Sequence, residues 1–150
     1  MKTPLCDFVA AYEQSGTARL HMPGHKGRGP LGCEGRDITE IAGADSLYEA
    51  GGVIAKSERS AAAIFGARAT FYSAGGSSQC VGAMLCLALQ QSDSRVVLAA
   101  RNAHKSFLHA AALLDADVRW LWPEPYSLLR CPVTPAALEA ALAALPEAPA

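Results

Sequence analysis

The chain lacks most of the features that would assign it quickly. There is no basic tract, and 13 Lys+Arg against 14 Asp+Glu leave a formal net charge of -1. No global field therefore draws it to nucleic acid or to a membrane surface. The longest apolar stretch, around Val81–Leu89, is far too short to span a bilayer. The opening Met1-Lys2-Thr3-Pro4-Leu5-Cys6-Asp7 carries an early acid and no apolar signal-peptide core. A cytoplasmic location is the resulting expectation. The glycine turn at Gly75-Gly76 has no lysine in the GK[ST] position and is not GxGxxG, which argues against a Walker-type nucleotide site and a dinucleotide fingerprint there.

Paired cysteines are missing too. Cys6, Cys33, Cys80, Cys86 and Cys131 are odd in number and dispersed, with no CxxC spacing. Reduced, structural thiols fit better than a disulfide framework or a zinc site. Cys80 and Cys86 lie in an apolar helical run and are expected to be buried as small hydrophobes. His21 and His25 are four apart, but Pro23 and Gly24 between them remove the helix that a zinc pair would use. No metal is expected.

What is present is a core-forming composition, 51% hydrophobic over 150 residues, enough for one ordinary domain. Residues 5–14 have helical spacing, closed by Ser15-Gly16. Residues 19–52 are rich in Gly and Pro and irregular, and so long a segment is usually functional or disordered. Its Leu20, Met22, Ile38, Ile41, Leu47 and Tyr48 require burial, which suggests an arm wrapping a surface or a partner subunit. A helix is expected from Ser57 as N-cap to Phe65, stopped by Gly66. Strands are expected at Ala69–Ser73, Arg95–Ala99 and Val118–Leu121, with helices after the first two. Thr134-Pro135 is an N-cap and N1 pair for a last helix to about Ala144. The alternation predicts an α/β fold with a partial, mostly parallel sheet and flanking helices. Residues 1–52 would be a helix and arm, and 53–150 the first part of a larger, incomplete domain.

The most informative segment runs from Ala69 to Gln90. A strand delivers the chain to Gly75-Gly76, where missing Cβ atoms let main-chain N–H groups close on a ligand. Ser77 and Ser78 then open a helix whose free N–H groups and positive dipole end favour a phosphate. The bland alternative is a tight turn with small residues chosen for packing. A second element, Arg101-Asn102-Ala103-His104-Lys105-Ser106, follows the next strand. Strand ends of parallel sheets are where ligands collect. His104 there either stacks on a flat cofactor or simply opens a helix capped by Asn102.

Taken in order, several blocks resemble the Orn/Lys/Arg decarboxylase family. They are His21-Met22-Pro23-Gly24-His25-Lys26-Gly27, Asp37-Ile38-Thr39-Glu40, Gly43-Ala44-Asp45-Ser46-Leu47, Phe65-Gly66-Ala67, Gly76-Ser77-Ser78 and the Arg101–Ser106 run. The resemblance covers about Leu20 to Pro123. It implies pyridoxal 5′-phosphate as cofactor and the first part of the large domain of the aspartate-aminotransferase fold (fold type I). It implies that Gly76, Ser77 and Ser78 hold the phosphate and that His104 stacks on the ring. His25 and Lys26 would lie near the active site or a subunit interface. Asp45 would meet a cationic substrate, a turn or capping role being the alternative. A small amino acid as substrate and a homodimer as assembly are implied as well, with no nucleic-acid or membrane partner.

The implied reaction releases carbon dioxide from arginine, lysine or ornithine through an external aldimine. The family's aldimine lysine and ring-nitrogen acid belong to later blocks that this chain does not contain. Lys105 is therefore not assigned as catalytic. Alternatives are another fold-type I enzyme (an aminotransferase or lyase), a non-catalytic truncated remnant, and a mononucleotide-binding α/β domain. The purified 150-residue chain with added cofactor should release no carbon dioxide from the three basic amino acids in a radiometric assay; sustained turnover would refute that.

Overall fold

The structure, a computed structural model, describes residues 2–127, 129–146 and 148–150. The chain forms two compact units, one ending at Tyr72 and one of Ser73–Ala150.

The first unit is built on α1 (Pro4–Gln14) and α2 (Val53–Phe65), which pack together. Pro4 stands at the start of α1, where its missing N–H costs nothing. The arm between the helices holds one short 3₁₀ turn at Glu34–Arg36. Arg36 is tied to Glu13 of α1 at 2.9 Å. Arg19 lies over the Tyr12 ring, 4.8 Å from its centroid, and donates to the Gly35 carbonyl at 2.6 Å. Gly43 has φ +86°, and a Cβ there would come within 3.1 Å of the Phe8 ring, so only glycine fits. The arm buries less than its composition predicts. Leu20, Met22 and Tyr48 remain exposed, while Ile38, Ile41 and Leu47 are half-buried.

α2 starts at Val53, four residues before the expected Ser57, because its cap comes from outside the helix. Its end is as expected, with Gly66 in the left-handed region at φ +63° and Ala67 N–H on the Ala62 carbonyl. The expected strand at Ala69–Ser73 is absent. Extended residues become a strand only against a ladder partner, and none is present among the described residues. The Tyr72 N–H instead donates to the Glu58 carboxylate at 2.9 Å, and Phe71 stays exposed.

The second unit runs α3 (Gly76–Gln90), β1 (Val96–Ala100), α4 (Lys105–Leu113), β2 (Asp117–Leu121), α5 (Pro135–Ala143). β1 and β2 pair in parallel, Val96 opposite Asp117 and Ala100 opposite Leu121. α4 is their crossover. The fold is thus α/β, with two paired strands where three were expected. On the edge of β1 away from β2, the Ala150 N–H bonds the Val96 carbonyl at 2.9 Å. Leu85 and Leu89 of α3 and Ala110 and Ala111 of α4 form the core, with Val97 and Val118 of the sheet against them. Thr134 caps α5 through its hydroxyl, as its sequence predicts.

The thiols depart from expectation in one respect. All five cysteines are free, but Cys80 is exposed and Cys86 only half-buried, because α3 packs through a single face that carries Leu85 and Leu89. Met84 and Leu87 on the same helix are likewise exposed. Truncation of Leu89, 8% exposed, to alanine should destabilise the second unit by about 2–4 kcal/mol in urea unfolding. Leu87→Ala on the open face should cost well under 1 kcal/mol by the same measurement.

Candidate functional site

Every helix begins with N–H groups that lack partners inside it, and the start of each helix shows where they go. At α4, His104 is itself the N-cap: its Nδ1 accepts from the Ser106 N–H at 3.2 Å and contacts Ser106 Oγ at 2.9 Å. Asn102 does not cap this helix. A ring that accepts at Nδ1 carries its proton, when neutral, on Nε2. The ring is exposed and held at the edge of the helix start.

α3 is different. Its N-cap is Gly75, no side chain caps it, and no acid stands in its first turn. Gly76 has φ +65°, a conformation that favours glycine, and a Cβ there would meet nothing within 4 Å. Space is open on that side. The Gly75 N–H donates to Gln79 Oε1 at 3.0 Å and to Ser73 Oγ at 3.2 Å, and Ser73 donates to the same Gln79 oxygen at 2.6 Å. Gln79 thus lends an amide oxygen where an anion's oxygen would go. Ser77 and Ser78 are exposed, and among the described residues no group bonds their hydroxyls.

α3 and α4 lie side by side, the added Cβ of Gly82 falling 3.8 Å from the Ala110 Cβ. Between them runs a largely apolar groove of about 540 Å³, lined from Ser78 and Gln79 beside Lys105 and Ser106 to Cys86 beside Leu113 and Leu114. The two helix starts therefore share one end of one groove. His104 is not among its lining residues; its neighbours Lys105 and Ser106 are.

The other predicted residues lie in the first unit. His25 Nε2 meets Asp37 Oδ2 at 3.2 Å, while its Nδ1 accepts the Gly27 N–H at 3.0 Å, closing the Pro23–Gly27 turn on itself. Lys26 has φ +55° and reaches the His21 carbonyl at 3.4 Å. Asp45 caps α2. Its Oδ2 accepts from the N–H groups of Gly52 at 2.7 Å and Ile54 at 3.1 Å, and its Oδ1 from Gly51 at 3.0 Å and Ser46 at 3.1 Å. Four donors occupy its oxygens, the geometry of the capping alternative. The Gly51 N–H foremost, then those of Gly52, Ser46 and Ile54, hold its carboxyl down at about 2 against an ordinary 3.8.

One element that sequence reasoning passed over is Arg101, which stacks on both tryptophans of the chain. The signal was available: Trp120 in β2 and Trp122 one residue past its end are two apart in sequence, the spacing that puts side chains of extended chain on one face.

Against known proteins, the family model described as Orn/Lys/Arg decarboxylase, major domain, matches residues 33–139. The chain is 30% identical to an arginine decarboxylase of Halalkalibacterium halodurans over 98% of its own length and 32% of the relative's. It is 31% identical to an arginine decarboxylase of Bacillus cereus over 82% of its length, and 28% identical to the uncharacterized protein YaaO of Bacillus subtilis over 99%. The chain spans about a third of the length of these relatives.

Asp45 supplies a measurable signature. A carboxyl depressed in the folded state stabilises fully above its unfolded value, and that contribution disappears as pH falls from about 4 through about 2. Thermal melts should show Asp45→Asn losing a few degrees at pH 7, with the gap to the parent closing between pH 4 and pH 2. A gap independent of pH would exclude the ionised cap.

Proposed function

Since the chain belongs to the Orn/Lys/Arg decarboxylase family, we propose that it is the cofactor-anchoring portion of a pyridoxal-phosphate-dependent basic amino-acid decarboxylase. The observation that carries this reading is the start of α3, where an open left-handed glycine, two unengaged serines and an uncapped set of N–H groups converge without a neighbouring acid. Those are the requirements of a phosphate cup. The names of the relatives favour arginine as substrate.

In this reading Gly76, Ser77 and Ser78 grip the phosphate with backbone N–H and hydroxyl donors. The Gly75 N–H, now bonded to Gln79 Oε1, would be a further donor to the phosphate if Gln79 turned aside. His104, fixed by Ser106, presents its imidazole face to the pyridine ring. Bound pyridoxal phosphate supplies an aldehyde for the substrate's α-amine and an electron-poor ring for the electron pair left by carbon dioxide. Lys105 lines the groove beside the cup and would add positive charge near the phosphate. The exposed Leu20, Met22 and Tyr48 of the arm support a homodimer in which they meet a second subunit. A cytoplasmic location accords with the enzyme class, and no described helix is long and apolar enough to cross a membrane.

Pyridoxamine 5′-phosphate forms no imine with surface lysines and therefore reports the cup alone. Equilibrium dialysis should show the parent chain binding it, with Gly76→Val and the Ser77→Ala/Ser78→Ala pair each weakening binding by about tenfold or more (~1.4 kcal/mol). Pyridoxamine without its phosphate should bind at least as poorly as the variants. His104→Ala should weaken binding and His104→Phe restore it, since a phenyl ring keeps the stacking face. Equal affinity for the phosphorylated and unphosphorylated forms would overturn the assignment.

A further inference from the structure

Below the level of the family's known parts, the segment after β2 builds a second polar pocket. The Arg101 N–H continues the β1–β2 ladder by bonding the Leu121 carbonyl at 3.1 Å, and the Cys131 thiol donates to the same carbonyl at 3.3 Å. Residues 101 and 131 are thereby pinned to the end of one strand. Between them the chain turns back through Ser127, whose Oγ accepts the Arg130 N–H at 3.1 Å. The result is a cavity of about 80 Å³ lined by Arg101, Asn102, Trp122, Tyr126, Ser127 and Arg130, with Cys131 at its base. No acid is in the lining, and neither arginine forms an ion pair among the described residues.

Arg101 and Arg130, both exposed, put two positive charges on the lining of one small cavity, which favours an anion there. Their planar forks match the oxygens of a carboxylate or phosphate, and Asn102, Tyr126 and Ser127 add neutral donors. Arg101 is already oriented: its guanidinium carbon sits 5.9 Å from the Trp120 centroid and 5.4 Å from that of Trp122. Trp120 is in turn held edge-on by Phe107 at 6.2 Å. These cation–π contacts restrain the guanidinium without using its N–H donors. The volume corresponds to roughly two to three waters, the size of a small oxyanion group and not of a whole nucleotide.

We propose that Arg101 and Arg130 form a binding pocket for a small oxyanion, the carboxylate or phosphoryl group of a ligand, separate from the cup at α3. The site does not depend on the cofactor reading, and it comes with its own reporter. Both tryptophans of the chain, Trp120 and Trp122, lie under Arg101.

Inorganic phosphate and acetate are titrated separately into the 150-residue chain at ionic strength fixed with sodium chloride, and tryptophan emission is followed. A saturable change with either anion is expected; phosphate alone identifies a phosphoryl ligand and acetate alone a carboxylate. Arg130→Gln, read against its own anion-free emission, should lose affinity roughly tenfold or more relative to the parent. Arg130→Lys, which keeps the charge and loses the fork, should fall between them. The Ser77→Ala/Ser78→Ala pair should titrate like the parent, which separates this pocket from the cup. A linear response, or equal saturation in the parent and both Arg130 variants, would overturn the proposal.

Discussion

The N–H groups at the start of a helix must find acceptors, and the acceptor each helix uses decides what that end can do. α5 is closed by its own threonine, α4 by its own histidine, and α2 by a carboxylate reaching from Asp45, seven residues before Gly52. Each is a committed bond within the fold. α1 has no side-chain cap but carries Asp7 in its first turn; among the described helices α3 alone starts with neither a capping side chain nor an acid, its Gly75 N–H bonding the Gln79 amide oxygen. A helix end in this state keeps its dipole unspent, and the fold holds it at the mouth of a groove.

This asymmetry explains how much of the molecule could be read in advance. Local signals were legible because they are self-contained: Pro4, Gly66, Thr134-Pro135 and the apolar runs of β1, β2 and α3 each specify their element from neighbours in sequence. The start of α2 was not, since its cap is remote. The expected strand at Ala69–Ser73 failed for a related reason, as extended backbone becomes a strand only when a partner supplies the ladder. The burial of Cys80 was misjudged because composition reports that a helix is apolar and not which of its faces is covered.

The candidate site was read in its parts and not in its arrangement. Gly76, Ser77, Ser78 and His104 were expected from an order of strand, turn and helix; both helices form, but the strand before Gly75 does not. That α3 and α4 lie alongside one another, with their starts at one groove end, depends on the small residues Gly82 and Ala110 that let them approach. The residues implied by resemblance in the first unit behave differently. His25 and Asp45 are both engaged in holding turns and a helix end, which suits a frame for a site more than a hand in its chemistry.

The bond from the Ala150 amide to Val96 gives β1 a neighbour on each flank, while among the described residues β2 pairs with β1 alone. An interior strand is shielded above, below and on both sides, so its side chains must be short or branched; Val96 and Ala99 are the most enclosed of the sheet residues. β2, which carries Trp120, thereby becomes the less enclosed of the two strands, its burial alternating between exposed and half-buried.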